Sequence, residues 1–117
     1  MSRQIHIVCV SGTLEKLQMA AMFDSVAVAC DIPVTVFFSM NALKPFIKGN
    51  DDDVPTEGDF GTLLKQQGVP PFRKLFQQAT ELGDAKLLPC SMAVDLLKIE
   101  EKDLIEGVGP PTGLAAF

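Results

Sequence analysis

Ile5-His6-Ile7-Val8-Cys9-Val10-Ser11-Gly12-Thr13-Leu14 is the stretch whose reading decides the fold. Residues 5–10 are β-branched and almost continuously apolar, the pattern of a strand covered on both faces in a parallel sheet. Ser11-Gly12-Thr13 ends the strand, and Thr13 or Ser11 is placed to cap a helix. Leu14, Leu17, Met19, Ala20, Met22, Phe23, Val26, Ala27 and Cys30 then supply apolar positions at helical spacing up to Asp31-Ile32-Pro33. Val34-Thr35-Val36-Phe37-Phe38 follows as a second strand, so the opening third of the chain is a β-α-β crossover, expected to be right-handed. The fold class is therefore α/β: a small three-layer domain with a mostly parallel sheet of about four to five strands flanked by helices.

Outward from that unit, Ser39 to Lys48 reads as a short helix, and the polar, acidic run 49–61 as a flexible surface loop. Its Asp51-Asp52-Asp53 triplet lacks the alternating order and distal Glu of a calcium loop, which leaves it solvated. Thr62 to Gln67 is a brief helical turn stopped by Gly68. Pro70-Pro71 opens a helix over 72–82 that Gly83 closes. Lys86-Leu87-Leu88-Pro89 is the third strand and Ser91 to Leu97 the helix after it, while residues 99–108 hold an acidic helical turn and one further short strand.

A chain of 117 residues, 47% hydrophobic and 21% charged, forms one domain over 1–117 with a core of its own. Apolar surface left over makes self-association an expectation. A net charge of −5, with no Trp, no Tyr and no Lys/Arg cluster, removes the footprint of a nucleic-acid binder. No apolar run approaches the ~20 residues of a membrane span. Met1-Ser2-Arg3-Gln4 leads straight into a strand, so neither signal peptide nor anchor is expected and the cytoplasm is the expected location. Three cysteines, scattered and odd in number, read as reduced thiols rather than a disulfide framework or a C-x-x-C pair.

Ligand crevices in open α/β sheets lie at the carboxyl ends of the strands, which gathers Ser11-Gly12-Thr13, Phe38-Ser39-Met40-Asn41 and Pro89-Cys90-Ser91-Met92 onto one rim. Cys90 is the strong nucleophile there. It stands at a helix start, where the N–H groups of Ser91, Met92 and Ala93 can face its sulfur and favour an anion, thiolate or persulfide. Position alone leaves open a second reading, in which Cys90 is a small buried hydrophobe and the protein a non-catalytic binding or regulatory subunit. Ser91, Met92, Ser11, Gly12, Phe38 and Met40 are the expected substrate contacts, Phe37, Phe38 and Met40 forming an apolar wall and the 49–61 loop a lid or docking surface. Cys9 and Cys30 read as core packing. His6, the lone histidine, stands at the opposite end of strand one, too far for a Cys–His couple. Neither metal-ligand spacing nor a phosphate-loop motif is present, so no metal and no cofactor is expected.

Taken together, Gly68-Val69-Pro70-Pro71, Lys86 to Ile99 around Cys90, and Asp103-Leu104-Ile105-Glu106-Gly107-Val108 resemble the DsrE/DsrF-like sulfur-transfer family. The likeness is to the branch with an A-C-x-M-S-M-D-x-M-G-I segment followed by D-L-I-x-G-V, and Ser11-Gly12-Thr13-Leu14-Glu15-Lys16 resembles its G-T-L-D-K opening. Pro89 stands where that branch has a small residue, and Leu97-Lys98 where it has Met-Gly. The resemblance implies a homo-oligomer, a trimer or its multiple. It also implies that Cys90 accepts sulfur as a persulfide or thiosulfonate and passes it to a thiol partner such as a TusA-like carrier. Met92 and Asp95 match the motif as structural positions.

Overall fold

β-branched residues at 5–9 and 34–38 form the first two strands, β1 (Ile5–Cys9) and β2 (Val34–Phe38), of the computed structural model, which describes residues 3–50, 54–66 and 68–117. α1 (Leu14–Ala29) joins them, and the two strands pair in parallel with Cys9 opposite Phe38. α2 (Asp59–Gln66), α3 (Phe72–Leu82), β3 (Ala85–Pro89) and α4 (Ser91–Leu97) follow. β3 runs parallel beside β2 with Pro89 opposite Phe38, which puts the ends of all three strands on one rim. The α/β class and parallel sheet are those the sequence predicts. The strand number is not: the sheet has three strands, in the order β1-β2-β3, rather than four or five. Residues 104–112 reach it only through isolated bridges, Leu87 to Val108 and Cys90 to Thr112, because two prolines without N–H groups and two glycines interrupt any longer ladder.

α1 buries a different face from the one its large apolar residues suggest. Leu17, Gln18, Ala20, Ala21, Asp24 and Ala27 point inward, while Met19, Met22, Phe23 and Val26 are exposed. Apolar side chains lie all round this helix, so spacing cannot choose the buried stripe. Packing chooses the alanines, which let the helix approach the sheet closely, and the Gln18 amide donates to the Pro70 carbonyl at 3.0 Å. Cys30, expected in the core, is exposed at the end of α1, because the chain turns out through Asp31 in a left-handed conformation.

α3 starts and stops where the prolines and Gly83 predict, and it buries Phe72, Phe76 and Ala79. These rings meet Phe38 and Phe46: Phe38 and Phe46 lie 4.3 Å apart between centroids and Phe38 and Phe76 5.2 Å, edge on. The cluster fixes the end of β2, and with it the rim. On the other side of the sheet Phe117 stacks on Phe37 at 4.9 Å and lies 5.1 Å from His6.

Ser39 to Lys48 is two 3₁₀ turns, Met40–Ala42 and Lys44–Phe46, rather than a helix, since Pro45 cannot donate inside one. The Asp51-Asp52-Asp53 run, Gln67 and the first two residues lie outside the described residues. What is described of the acidic loop is anchored rather than free. Val54 is buried, the Leu14 N–H donates to the Pro55 carbonyl at 2.9 Å, and the Glu15 carboxylate accepts from the N–H groups of Glu57 and Gly58. From Asp59 the chain is already α2. No helix among the described residues is long and apolar enough to cross a membrane.

Candidate functional site

Cys90 closes β3 and occupies the N-cap position of α4, with φ −66° and ψ 125°. Its own N–H donates to the Phe38 carbonyl at 2.8 Å, which ties the cysteine to the end of β2. Ser91, expected to aim its N–H at the sulfur, instead gives it to the Thr112 carbonyl at 2.9 Å, and Thr112 returns a bond to the Pro89 carbonyl at 2.9 Å. The C-terminal segment thus takes the first donor of α4 away from the thiol. Met92 and Ala93 remain: their N–H groups, together with the hydroxyl of Ser39, surround Sγ and favour its anion.

Cys90 is 6% exposed, and burial by itself raises a thiol pKa. Against that, the Ser39 hydroxyl and the Ala93 and Met92 N–H groups stabilise the thiolate. The donors outweigh the burial and hold Cys90 below the ordinary cysteine range. No basic side chain takes part in this.

Ser39 is the residue beside Cys90 that the sequence places on the rim without giving it a role. It follows β2 in extended backbone, is 6% exposed, and its N–H donates to the Cys9 carbonyl at 2.9 Å. The register of Phe38 against Pro89 sets the next residues, Ser39 and Cys90, side by side. A hydroxyl one residue past a central strand, beside a cysteine one residue past its neighbour, is the signal that could have found it.

The remaining expected contacts separate. Phe38 has its ring fully buried among Phe46 and Phe76, so it supplies a backbone carbonyl and not a wall; Phe37 is likewise covered, by Phe117. Met40 is exposed in a left-handed backbone conformation, φ 54°, and the Met92 side chain is half exposed. Ser11 and Gly12 line a cleft of about 310 Å³ with Thr13, Asn41, Lys44 and Pro45, which Cys90 does not line. A Cβ on Gly12 would collide with the Asn41 carbonyl, so glycine is what lets the two rim loops meet. Thr13 holds the N-cap position of α1, yet its hydroxyl donates to the Glu57 carboxylate at 2.9 Å rather than capping the helix.

Cys9 is core, as predicted, and its chemistry is the reverse of Cys90's. Burial, then the nearby Asp24 carboxylate, pushes its thiol up to about 11. Asp24 is itself wholly buried with neither carboxyl oxygen hydrogen-bonded, and burial pushes it up to about 7. His6 and Cys30 both lie toward the other end of the sheet from the rim. His6 is beside Phe117, and Cys30 is in a cleft with Arg3 and Asp31.

Fold and site together define an α/β protein with an acidified thiol at a strand-to-helix junction on the rim of a parallel sheet. A model of the DsrE/DsrF/DrsH-like family matches residues 59–117, the half of the chain that contains β3, Cys90 and α4. The chain belongs to that family. Its fold is shared with the crystal structure of the ychN protein from E. coli, at a TM-score of 0.62 and 18% identity over 97% of this chain and 87% of the other. A comparison with curated proteins finds no match. Family membership supports a sulfur-relay role in general terms.

Proposed function

We propose that the protein is a cytoplasmic sulfur carrier or sulfurtransferase that holds sulfane sulfur on Cys90 as a persulfide or thiosulfonate. The observation that carries this reading is the set of three donors around Sγ in a member of a sulfur-relay family. A thiol held below the ordinary range has a larger thiolate fraction near neutrality than an ordinary cysteine and therefore attacks more readily; it is also the better leaving group and therefore gives sulfur up. In the first half the thiolate forms a bond to the sulfane sulfur of a polysulfide, a thiosulfate-type donor or a persulfidated carrier, which leaves a persulfide on Cys90, or to that of a tetrathionate-type donor, which leaves a thiosulfonate and expels thiosulfate. The donor's S–S bond breaks and its pair leaves with the departing group. In the second half a partner thiolate, of a TusA-like carrier or another thiol protein, takes the outer sulfur and Cys90 is released.

Self-association, as a trimer or its multiple, belongs to the same proposal. Supporting it are exposed Val8 and Val10 on or just after β1, which has no neighbour on one side among the described residues, and exposed Met19, Met22, Phe23 and Val26 on α1.

Intact-mass spectrometry after incubation with polysulfide, thiosulfate or tetrathionate tests the assignment. The wild type is expected to gain sulfur or a thiosulfonate group and Cys90→Ser to gain none; additions that persist unchanged in the variant overturn it.

A further inference from the structure

We propose that Ser39 is a catalytic residue for the discharge of sulfur: its hydroxyl, donating to Sγ, stabilises the Cys90 thiolate as the group expelled when an acceptor takes the outer sulfur. This deepens the reading of Cys90 as sulfur acceptor and rests on it. The pairing of Phe38 with Pro89 sets Ser39 beside Cys90, with its hydroxyl among the groups that favour the thiolate, and both partners are held from outside the contact. The Ser39 N–H is fixed on the Cys9 carbonyl, its carbonyl on the Ala42 N–H at 3.0 Å, and the Cys90 N–H on the Phe38 carbonyl. At 6% exposure, water has little access to replace the hydroxyl.

A donor on Sγ acts unequally on the two halves of a transfer. In loading, it raises the thiolate fraction but makes each thiolate less nucleophilic, since reactivity falls with pKa at a Brønsted slope of about 0.4–0.5. In discharge the acceptor's lone pair bonds to the outer sulfur, the S–S pair returns to Sγ, and the donor stabilises the charge arriving there. Removing it therefore slows loading only where the thiol is un-ionised, and slows discharge at every pH.

Cyanide is the acceptor for the test, because it takes the outer sulfur as thiocyanate and returns the Cys90 thiolate with charge and atoms balanced. At fixed cyanide-anion concentration, persulfidated Ser39→Ala is expected to discharge roughly three- to tenfold more slowly than wild type from pH 7 to pH 10, the loss of one hydrogen bond to a charged atom. Its alkylation by iodoacetamide is expected to lag at pH 7 and to equal or pass wild type at pH 10. Ser39→Thr, which keeps the hydroxyl, restores discharge; Ser39→Gly serves in place of the alanine variant if that one does not fold. Discharge of Ser39→Ala at the wild-type rate overturns the proposal, as does Ser39→Thr being equally slow, which assigns the effect to packing. Wild type that takes up no sulfur fails the reading of Cys90 itself, a separate result.

Discussion

Cys9 and Cys90 end neighbouring parts of one rim, both nearly buried, with β2 between them, yet their thiols are pushed in opposite directions. Burial raises both. What separates them is the second influence: around Cys90 it is three hydrogen-bond donors, and beside Cys9 it is a buried carboxylate. Cys9 also ends its strand, but the Ser39 N–H beside it goes to the Cys9 carbonyl, and the group that faces its thiol is the Asp24 carboxylate. A strand that stops and turns into a helix frees N–H groups just beyond the stop, and β2 adds a hydroxyl at the same level. Reactivity on this rim follows from where each strand ends rather than from exposure.

The largest effect that tests this contrast is selectivity of alkylation. With its thiol at about 11, Cys9 is ionised to about one part in ten thousand at pH 7. Peptide mapping after iodoacetamide at pH 7 should therefore find Cys90 labelled at least about tenfold faster than Cys9, the larger thiolate fraction being partly offset by lower intrinsic nucleophilicity. Comparable rates would break the comparison.

Asp24→Asn sharpens it by removing the carboxylate and leaving the burial. Asp24 has a folded pKa of about 7 against an unfolded value near 4, so the native state binds the proton more tightly and stability falls as pH rises from about 4 through 7. At pH 8 the variant is expected to be more stable than wild type by about 2–4 kcal/mol, with the gain gone at pH 4, as read from denaturant melts at both pH values. The Cys9 thiol should also titrate lower. A melt difference that does not change with pH would show that Asp24 is not held protonated.

Gly12→Ala has a smaller reach. Its Cβ meets the Asn41 carbonyl, so the rim must open, at a cost of about 1–3 kcal/mol in thermal or denaturant stability. Cys90 and Cys9 should keep their order of reactivity, because neither borders that cleft's Gly12 side. The smallest effect belongs to Glu15→Gln. The Glu57 N–H, before the others around it, holds the Glu15 carboxyl below its ordinary range. That tie is present above the unfolded pKa and is lost as pH falls through the folded one. The variant should speed hydrogen exchange at Glu57 and Gly58 and leave both thiols unchanged; altered Cys90 alkylation would show that the 54–58 segment reaches the site.

Much of this architecture is written locally. The β-branched runs at 5–9 and 34–38, the prolines before Phe72 and the glycine after Leu82 mark their elements almost to the residue, and the strand-to-helix junction puts Cys90 where it is found. What was not legible depends on partners distant in sequence. α1 carries apolar residues on every side, so only the sheet it packs on decides that Ala20, Ala21 and Asp24 go in and Phe23 stays out. Ser39 needs the β2–β3 register, and the loss of the Ser91 N–H needs Thr112. Strand number differs for a related reason, since Leu104 and Ile105 suggest a strand but the run after them, with Gly107, Gly109, Pro110 and Pro111, reaches the sheet only through isolated bridges.

The ties from Cys90 to Phe38 and from Ser91 to Thr112 also bear on how the chain matures. Both close long stretches of sequence, and such closures carry an entropic cost met only when the sheet has assembled. Until then Cys90 is an ordinary thiol among three, and the acidity that distinguishes it is a property of the finished fold. The rate at which that one cysteine comes to be alkylated faster than the other two during refolding is accordingly a clock for this long-range closure.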